Sequence, residues 1–468
     1  MIALTFKNNS IKWIIAFGIV LVIYSISYFY IMVPGSDSQY FRGMTEHFIE
    51  TKNLDPLQPN HQYYQWPSFF ILSYIASSVS GLTLGSFEFI LYAIIGFLLA
   101  VSIYFYASKA YKSGGFLAVP VFFVSMFIFL NYQCVPFSLA LGLLFLLIML
   151  ETQKKGTSLT VTTLVLFTGV VLTHLFVPMF FIIYLLMRAI VKKSRYYTNL
   201  FLFALTLFFV IQFTLAQYSF PTYIRVLVRA TSEYSSVVQA TITPASIPID
   251  ITAQVFSRVL TIALGAISGV GFIFILIKRR LRTLDKAVLL TGLLYSGAGV
   301  FLAALGMRAV ILAFIPISLG AAWLFESKSR RYFKHIFLAL LLILLALFSF
   351  VQVHQSFTSA IHFQTQEAYT AANFLIDHSN WEKSGNILAY SSVIPYLESK
   401  LGVSAKTFTP YLQNTGEPAI IFYTVGLGKS LEIQNYTMER IFNEKRLNTV
   451  YTNGFSYITI KANSDITY

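Results

Sequence analysis

Residues 33–66 read VPGSDSQYFRGMTEHFIETKNLDPLQPNHQYYQW. This is the longest polar interval in the first two hundred residues, and it directly follows the first long apolar run. The composition around it gives that interval its meaning. Of 468 residues, 56% are hydrophobic, 17% aromatic and only 11% charged. A soluble domain cannot hide that much apolar area, so the sequence predicts a polytopic α-helical membrane protein. In such a protein a formal charge of +14 is read from where the basic loops fall, not as a signal for nucleic acid. The single Cys134 leaves no internal disulfide and no cysteine-based zinc cluster to build.

Working outward, apolar runs at about 12–33, 86–108, 115–131, 135–150, 158–173, 175–191, 198–216, 252–277, 287–306, 309–325 and 335–353 predict about eleven transmembrane helices. Lys7 and Lys12 precede the first run and no small-residue cleavage site follows it. That pattern reads as a retained signal anchor with a cytoplasmic N-terminus. One further apolar segment, 66–84, is short and opened by Trp66-Pro67. If it does not cross, nineteen of the 33 Lys and Arg share one face, and Arg42, Lys52, Arg225, Arg229, Arg258 and Arg308 share the other. If it crossed, every later basic loop would move outside. The positive-inside rule therefore predicts an interfacial helix, anchored by Trp66 with Tyr63 and Tyr64. The outer face then carries 34–85, Asn131 to Pro136, Thr173 to Pro178, 217–251 and the turn from Gly306 to Arg308.

Within the opening stretch, Ser36 and Gln39 have capping-box spacing, with Ser36 as N-cap. The helix that follows, to about Glu50, has Tyr40, Phe41, Met44 and Phe48 on one face, with Gln39, Arg42, Glu46 and Glu50 elsewhere. Such a helix is expected to lie flat at the interface with Asp37 at its N-terminal end. A carboxylate there stabilises the helix start. Kept ionised by the helix terminus, it can also take a proton from an attacking hydroxyl. His47 and His61 read as interfacial polar residues. His174, in a tight outer turn, is either a functional group or a histidine satisfied by water. Arg225 and Arg229 suit lipid headgroups or a lipid phosphate. Arg308, in a turn of almost no length, either snorkels or grips phosphate through its planar fork of donors.

The run Gly35-Ser-Asp37-Ser-Gln-Tyr40-Phe41-Arg42, followed by Glu46 and a return through Asn53-Leu-Asp55-Pro56, resembles the first outer loop of GT-C glycosyltransferases. That superfamily includes oligosaccharyltransferase catalytic subunits and protein mannosyltransferases. Segment 66–84 looks like the second juxtamembrane helix of the protein-mannosyltransferase branch. The likeness departs at Asn131-Tyr-Gln-Cys-Val-Pro136, which holds no carboxylate, and in the absence of a Trp-Trp-Asp motif. Without paired carboxylates a divalent cation lacks hard oxygen ligands. The resemblance thus implies the branch that moves one sugar from a polyprenyl (dolichyl or undecaprenyl) phosphate, with inversion and without metal or other cofactor. It implies Asp37 as the base. Arg308, His174, Arg225 and Arg229, with Tyr40 and Arg42, would bind substrate and lipid phosphate. The implied partners are the lipid-linked sugar donor, a glycan, lipid or protein acceptor, and membrane lipids, with no nucleic acid. The implied place is the plasma membrane. A small-molecule or lipid transporter or flippase is the rival reading. Transporters tend to show internal repeats and midplane polar sites; the two halves show no repeat, and Gln212 is one of few strongly polar side chains deep in a span. A non-catalytic scaffold of the same architecture is a third.

Residues 1–353 thus read as a transmembrane domain, with 34–85 and 217–251 as its long outer loops. Residues 354–468 read as a small extracytoplasmic α/β domain. Helices are expected at 362–377, 395–401 and 430–445, strands at 386–390 and 418–425, and a hairpin over 448–461 around Asn453-Gly454. Asn435-Tyr-Thr437 is a glycosylation sequon.

Overall fold

The computed structural model describes residues 33–34, 36–57, 61–112, 115–126, 134–152, 156–221, 251–278, 280–301, 306–326, 343, 347, 363–364, 366–378, 387–390, 394–401, 406–407, 420–424, 447–452 and 456–461. The apolar runs expected at 12–33 and 335–353 fall almost wholly outside the described residues. So do Arg225, Arg229, Asn131 to Gln133, the helix expected over 430–445 and the sequon.

A two-residue strand, β1 (Val33–Pro34), precedes helix α1 (Ser36–Thr51). A 3-10 turn at Gln62–Gln65 leads into α2 (Ser68–Ser80). That helix stops where Gly81 turns left-handed, at φ 68°, and donates its N–H to the Ser77 carbonyl. Its 13 residues reach only about 20 Å, short of the ~30 Å hydrocarbon core. Thr83 then caps α3 (Leu84–Ser108), accepting from the Ser86 N–H.

The next helices fall on the predicted apolar runs. They are α4 (Gly115–Ser125), α5 (Pro136–Leu150), α6 (Thr157–Thr173), α7 (Val177–Lys192), α8 (Arg195–Thr214), α9 (Ile251–Ile277), α10 (Thr283–Phe301) and α11 (Gly306–Glu326). Among the described residues, α3 and α8 are by themselves long and apolar enough to cross a bilayer. Pro136 opens α5, where its missing N–H has no cost. Large apolar side chains such as Phe203, Phe213, Val259, Ile262 and Val165 stand exposed on α8, α9 and α6. Water would not tolerate so wide an apolar face, but a bilayer does.

Small residues let these helices meet closely. A Cβ on Gly320 would stand 1.9 Å from the Ser268 carbonyl oxygen, and one on Gly292 2.2 Å from the Ala313 backbone nitrogen. So α9 and α10 contact α11 backbone to backbone, the contact small residues permit in membranes. Ser268 Oγ donates to the Ile317 carbonyl at 2.7 Å, which fixes the first of these pairs. At the far end, Arg282 forks onto Asp285, and Tyr106 from the end of α3 donates to the same carboxylate. One of the charges counted in the basic loops is therefore an internal staple.

After the membrane helices come β2 (Phe363–Gln364), α12 (Gln366–His378), β3 (Ile387–Tyr390), α13 (Ile394–Leu401), β4 (Lys406–Thr407), β5 (Ile420–Thr424), β6 (Leu447–Thr452) and β7 (Ser456–Lys461). The sheet order is β4-β3-β5-β7-β6. β3 runs parallel to both β4 and β5, while β5–β7 and β6–β7 are antiparallel. The antiparallel β6–β7 pair falls where the sequence predicts a hairpin, over 448–461. β2 pairs with β1, Val33 opposite Gln364, so the C-terminal segment returns to the residues just before α1.

Two expectations about that loop are corrected. α1 does not lie with its polar side in water. Phe41, Met44 and Phe48 are buried toward Tyr64, Phe70 and Tyr74, but Arg42 is buried too, at 4% exposure. Arg42 and Glu46 are covered by α12 and α13, while Glu50 at the end of the helix stays exposed. Nor do Trp66 and Tyr64 anchor a membrane surface: both are buried. Trp66 Nε1 donates to Gln212 Oε1 at 3.2 Å, and Tyr64 donates to the Met44 carbonyl. An indole or phenol that finds an internal partner has no need of the headgroup layer.

Candidate active site

Asp37 is the second residue of α1, in its first turn. The Gln39 half of the capping box expected at Ser36 does not form. Gln39 is fully buried, and neither atom of its amide makes a hydrogen bond. One turn on, the Arg42 guanidinium lies 4.3 Å from the centroid of the Tyr369 ring. Its Nε donates to Glu46 Oε1 at 3.1 Å, and its Nη1 stands 3.8 Å from Glu88 Oε2. The contact at 3.8 Å is an ion pair but too long for a hydrogen bond. Burial works against the Arg42 charge, but Glu88, Tyr369 and Glu46 together outweigh it and hold the proton more firmly than usual.

Glu46 is the hub of the arrangement. It accepts from Tyr369 at 2.5 Å, from Tyr396 at 2.6 Å and from Lys400 at 3.5 Å, besides Arg42. Burial raises its affinity for a proton, yet Arg42, the two tyrosine hydroxyls and Lys400 prevail and hold it below the ordinary carboxylate range. Lys400 also pairs with Glu50. Nearby, His61 Nε2 donates to the Ser399 carbonyl at 2.8 Å, with the His47 ring 4.5 Å away. Burial lowers both imidazoles. His61 and Lys400 push His47 down further, whereas the Ser399 bond and Asp55 partly restore His61.

The approach of α13 is set by one glycine. A Cβ on Gly43 would fall 2.0 Å from Ser399 Oγ and 2.8 Å from the Tyr396 carbonyl oxygen. Only a residue without a side chain lets the two helices sit this close.

His174 follows α6 in extended backbone and is buried at 4% exposure. Its Nδ1 accepts from the Phe176 N–H at 3.1 Å, which places the proton on Nε2. Its ring packs among Phe137, Phe176 and Tyr63, and Tyr63 packs edge-on against Phe41 of α1 at 4.8 Å. His174 is thus joined to the first loop through two rings. Ser219, just beyond α8, donates its N–H to Gln65 Oε1 and its hydroxyl to the Gln62 carbonyl. The Trp66 bond gives Oε1 of Gln212, the polar side chain in α8, its donor, while Gln212 Nε2 is buried without a partner.

Of the sequence-predicted residues, Asp37, Tyr40 and Arg42 share α1, and His174 reaches them through Tyr63 and Phe41. Tyr40 is half-buried, edge-on to Phe41. Arg308 is the third residue of α11, not part of the turn before it. Arg225 and Arg229 lie outside the described residues. Sequence reasoning missed Glu88, concealed inside an apolar span, although a carboxylate in such a span is a functional candidate in its own right. It also missed Tyr369, Tyr396 and Lys400, whose partners lie more than three hundred positions away. Among the described residues, no three His, Cys, Asp or Glu converge as a metal site would require.

The chain is a bundle of apolar helices in which α1 carries an acidic residue at its second position and is followed by a short apolar helix that does not have the length to cross a bilayer. ArnT from Cupriavidus metallidurans, a GT-C family glycosyltransferase solved in its apo state, superposes on this chain with a TM-score of 0.52. The match covers 97% of this chain and 98% of that one at 10% sequence identity. The sequence matches no family model and no curated protein. Likeness at that identity is likeness of fold, and the fold is that of a polytopic membrane protein.

Proposed function

We propose that the protein is a membrane glycosyltransferase that moves a single sugar from a polyprenyl phosphate to an acceptor on the outer face. Asp37 acts as general base on the acceptor hydroxyl, which attacks the anomeric carbon with inversion as the lipid phosphate leaves. Phosphate is a good leaving group, so the reaction needs cationic stabilisers more than a general acid. Arg308, Arg225 and Arg229 supply them, with His174 beside the loop and Tyr40 and Arg42 on the substrate. No metal takes part in this scheme, and the acceptor is a glycan, lipid or protein. Eleven spans in the plasma membrane, a cytoplasmic N-terminus and an extracytoplasmic α/β domain from residue 354 complete the reading.

The observation that carries it is the ArnT likeness over nearly the whole chain, with an acidic residue in the first turn of the first outer helix. The test is transfer from a panel of polyprenyl-phosphate sugars by protein in liposomes. Asp37→Asn is expected to lower turnover at least a hundredfold while donor binding persists. A transporter or scaffold would be indifferent to that change, and unaltered turnover sinks the assignment.

A further inference from the structure

We infer that Ser38, Gln39 and Arg42 form a hydrogen-bonding subsite for the sugar ring of the donor, an inference that rests on the transferase reading above. Gln39 is 0% exposed and Ser38 2% exposed. Both atoms of the Gln39 amide, the Ser38 hydroxyl and Arg42 Nη1 are buried without a hydrogen-bond partner. The rest of α1 does not behave this way. Thr45 Oγ1 donates to the Phe41 carbonyl, Arg42 Nε to Glu46, and Tyr64 closes the Met44 carbonyl. Buried polar atoms are ordinarily satisfied, and a cluster that is not marks a place where something else bonds.

The three residues stand on one stripe, since 38 and 42 are a full turn apart and 39 lies three before 42. Their chemistry narrows the ligand. An amide gives a donor and an acceptor, a hydroxyl gives both, and the guanidinium gives a donor. Adjacent ring hydroxyls, each donor and acceptor at once, match that set. A phosphate diester matches it less well, because it brings no donor for the Gln39 and Ser38 oxygens and the Arg42 charge is already paired with Glu46 and Glu88. The 3.8 Å between Nη1 and Glu88 is too wide for a direct hydrogen bond, and a hydroxyl of the ligand can bridge it. The subsite also begins in the turn that carries the proposed base, Asp37, and ends one turn on at Arg42.

The experiment titrates the purified full chain with bare polyprenyl phosphate and with the same carrier bearing glucose, mannose or arabinose. The wild type is expected to bind at least one sugar-bearing carrier more tightly than the bare one. Gln39→Leu should remove about tenfold of that preference, with bare-carrier affinity held within twofold, and Ser38→Ala should remove less. Unliganded Gln39→Leu should melt no lower than wild type, because the lost amide had no partner. The inference falls if the wild type prefers no sugar, if Gln39→Leu keeps the preference, or if that variant melts lower through loss of a structural water. Asp37→Asn separates the two ideas. Turnover surviving in Asp37→Asn while Gln39→Leu loses the preference would sink the base and spare the subsite.

Discussion

Glu46 shows how one carboxylate can join distant parts of a chain. Four donors from three helices converge on it. Glu46→Ala removes the acceptor shared by two phenols and two cations, of which Lys400 keeps Glu50 and Tyr396 keeps Asn373 Oδ1, so a loss of about 3 kcal/mol is expected in unfolding of the detergent-solubilised protein. Acid acts on the same contact. Because the folded pKa of Glu46 is depressed, its stabilisation is complete above the unfolded value and is lost as pH falls through the folded one. His47 and His61 are depressed as well. For them the unfolded chain takes up protons first, so stability declines once pH drops below about 6.5. Both contributions have the same sign. The melting midpoint should therefore be flat from pH 8 to 7 and fall below pH 6.5, and a midpoint that rises on acidification would contradict these assignments. His47→Gln with His61→Gln should delay the fall until the carboxylate titrates.

At the scale of helices, the contact between α1 and α13 depends on Gly43. Gly43→Ala places a methyl within 2.0 Å of Ser399 Oγ and 2.8 Å of a backbone carbonyl. The first neighbour can be trimmed and the second cannot. Gly43→Ala should cost about 1–3 kcal/mol and expose α12 and α13 to limited proteolysis, and adding Ser399→Ala should recover only part of the loss. Full recovery would mean that the carbonyl yields and that the helices are not held as close as described. The same contact explains what the sequence could and could not convey. Helix limits in the membrane region were legible because apolar backbone must satisfy itself locally. The β6–β7 pairing was legible because the Asn453-Gly454 dipeptide is a strong hairpin signal. The polar side of α1 was not. Arg42, Glu46 and Glu50 have the spacing of a solvated face, and nothing local distinguishes water from Tyr369, Tyr396 and Lys400. Trp66 misled for a similar reason: an aromatic at an apparent membrane edge looks like an anchor until Gln212 is found beside it.

For the whole molecule, everything said of the outer face depends on whether α2 crosses the bilayer. Its length argues that it does not, and so does its partition of side chains. Phe69 and Phe70 are buried against the protein, while Ile71, Ile75 and Val79 are exposed along the other side. A one-sided apolar exposure suits a helix lying in the interface. The charge distribution makes the consequence testable. If α2 stays on the surface, Leu57 and the turn at Lys193 lie on opposite sides of the membrane; if it crosses, they lie on the same side. Both positions are exposed. Cys134 is the sole cysteine and is buried, so Cys134→Ala provides a thiol-free background with a small packing cost. In intact cells, a membrane-impermeant maleimide should label Leu57→Cys and leave Lys193→Cys unlabelled until the membrane is opened. Labelling of both from outside would make α2 a span, reverse every later loop and place Arg308 on the cytoplasmic face. Asp37 and Arg308 could not then act on one phosphate-linked sugar, whatever the fold.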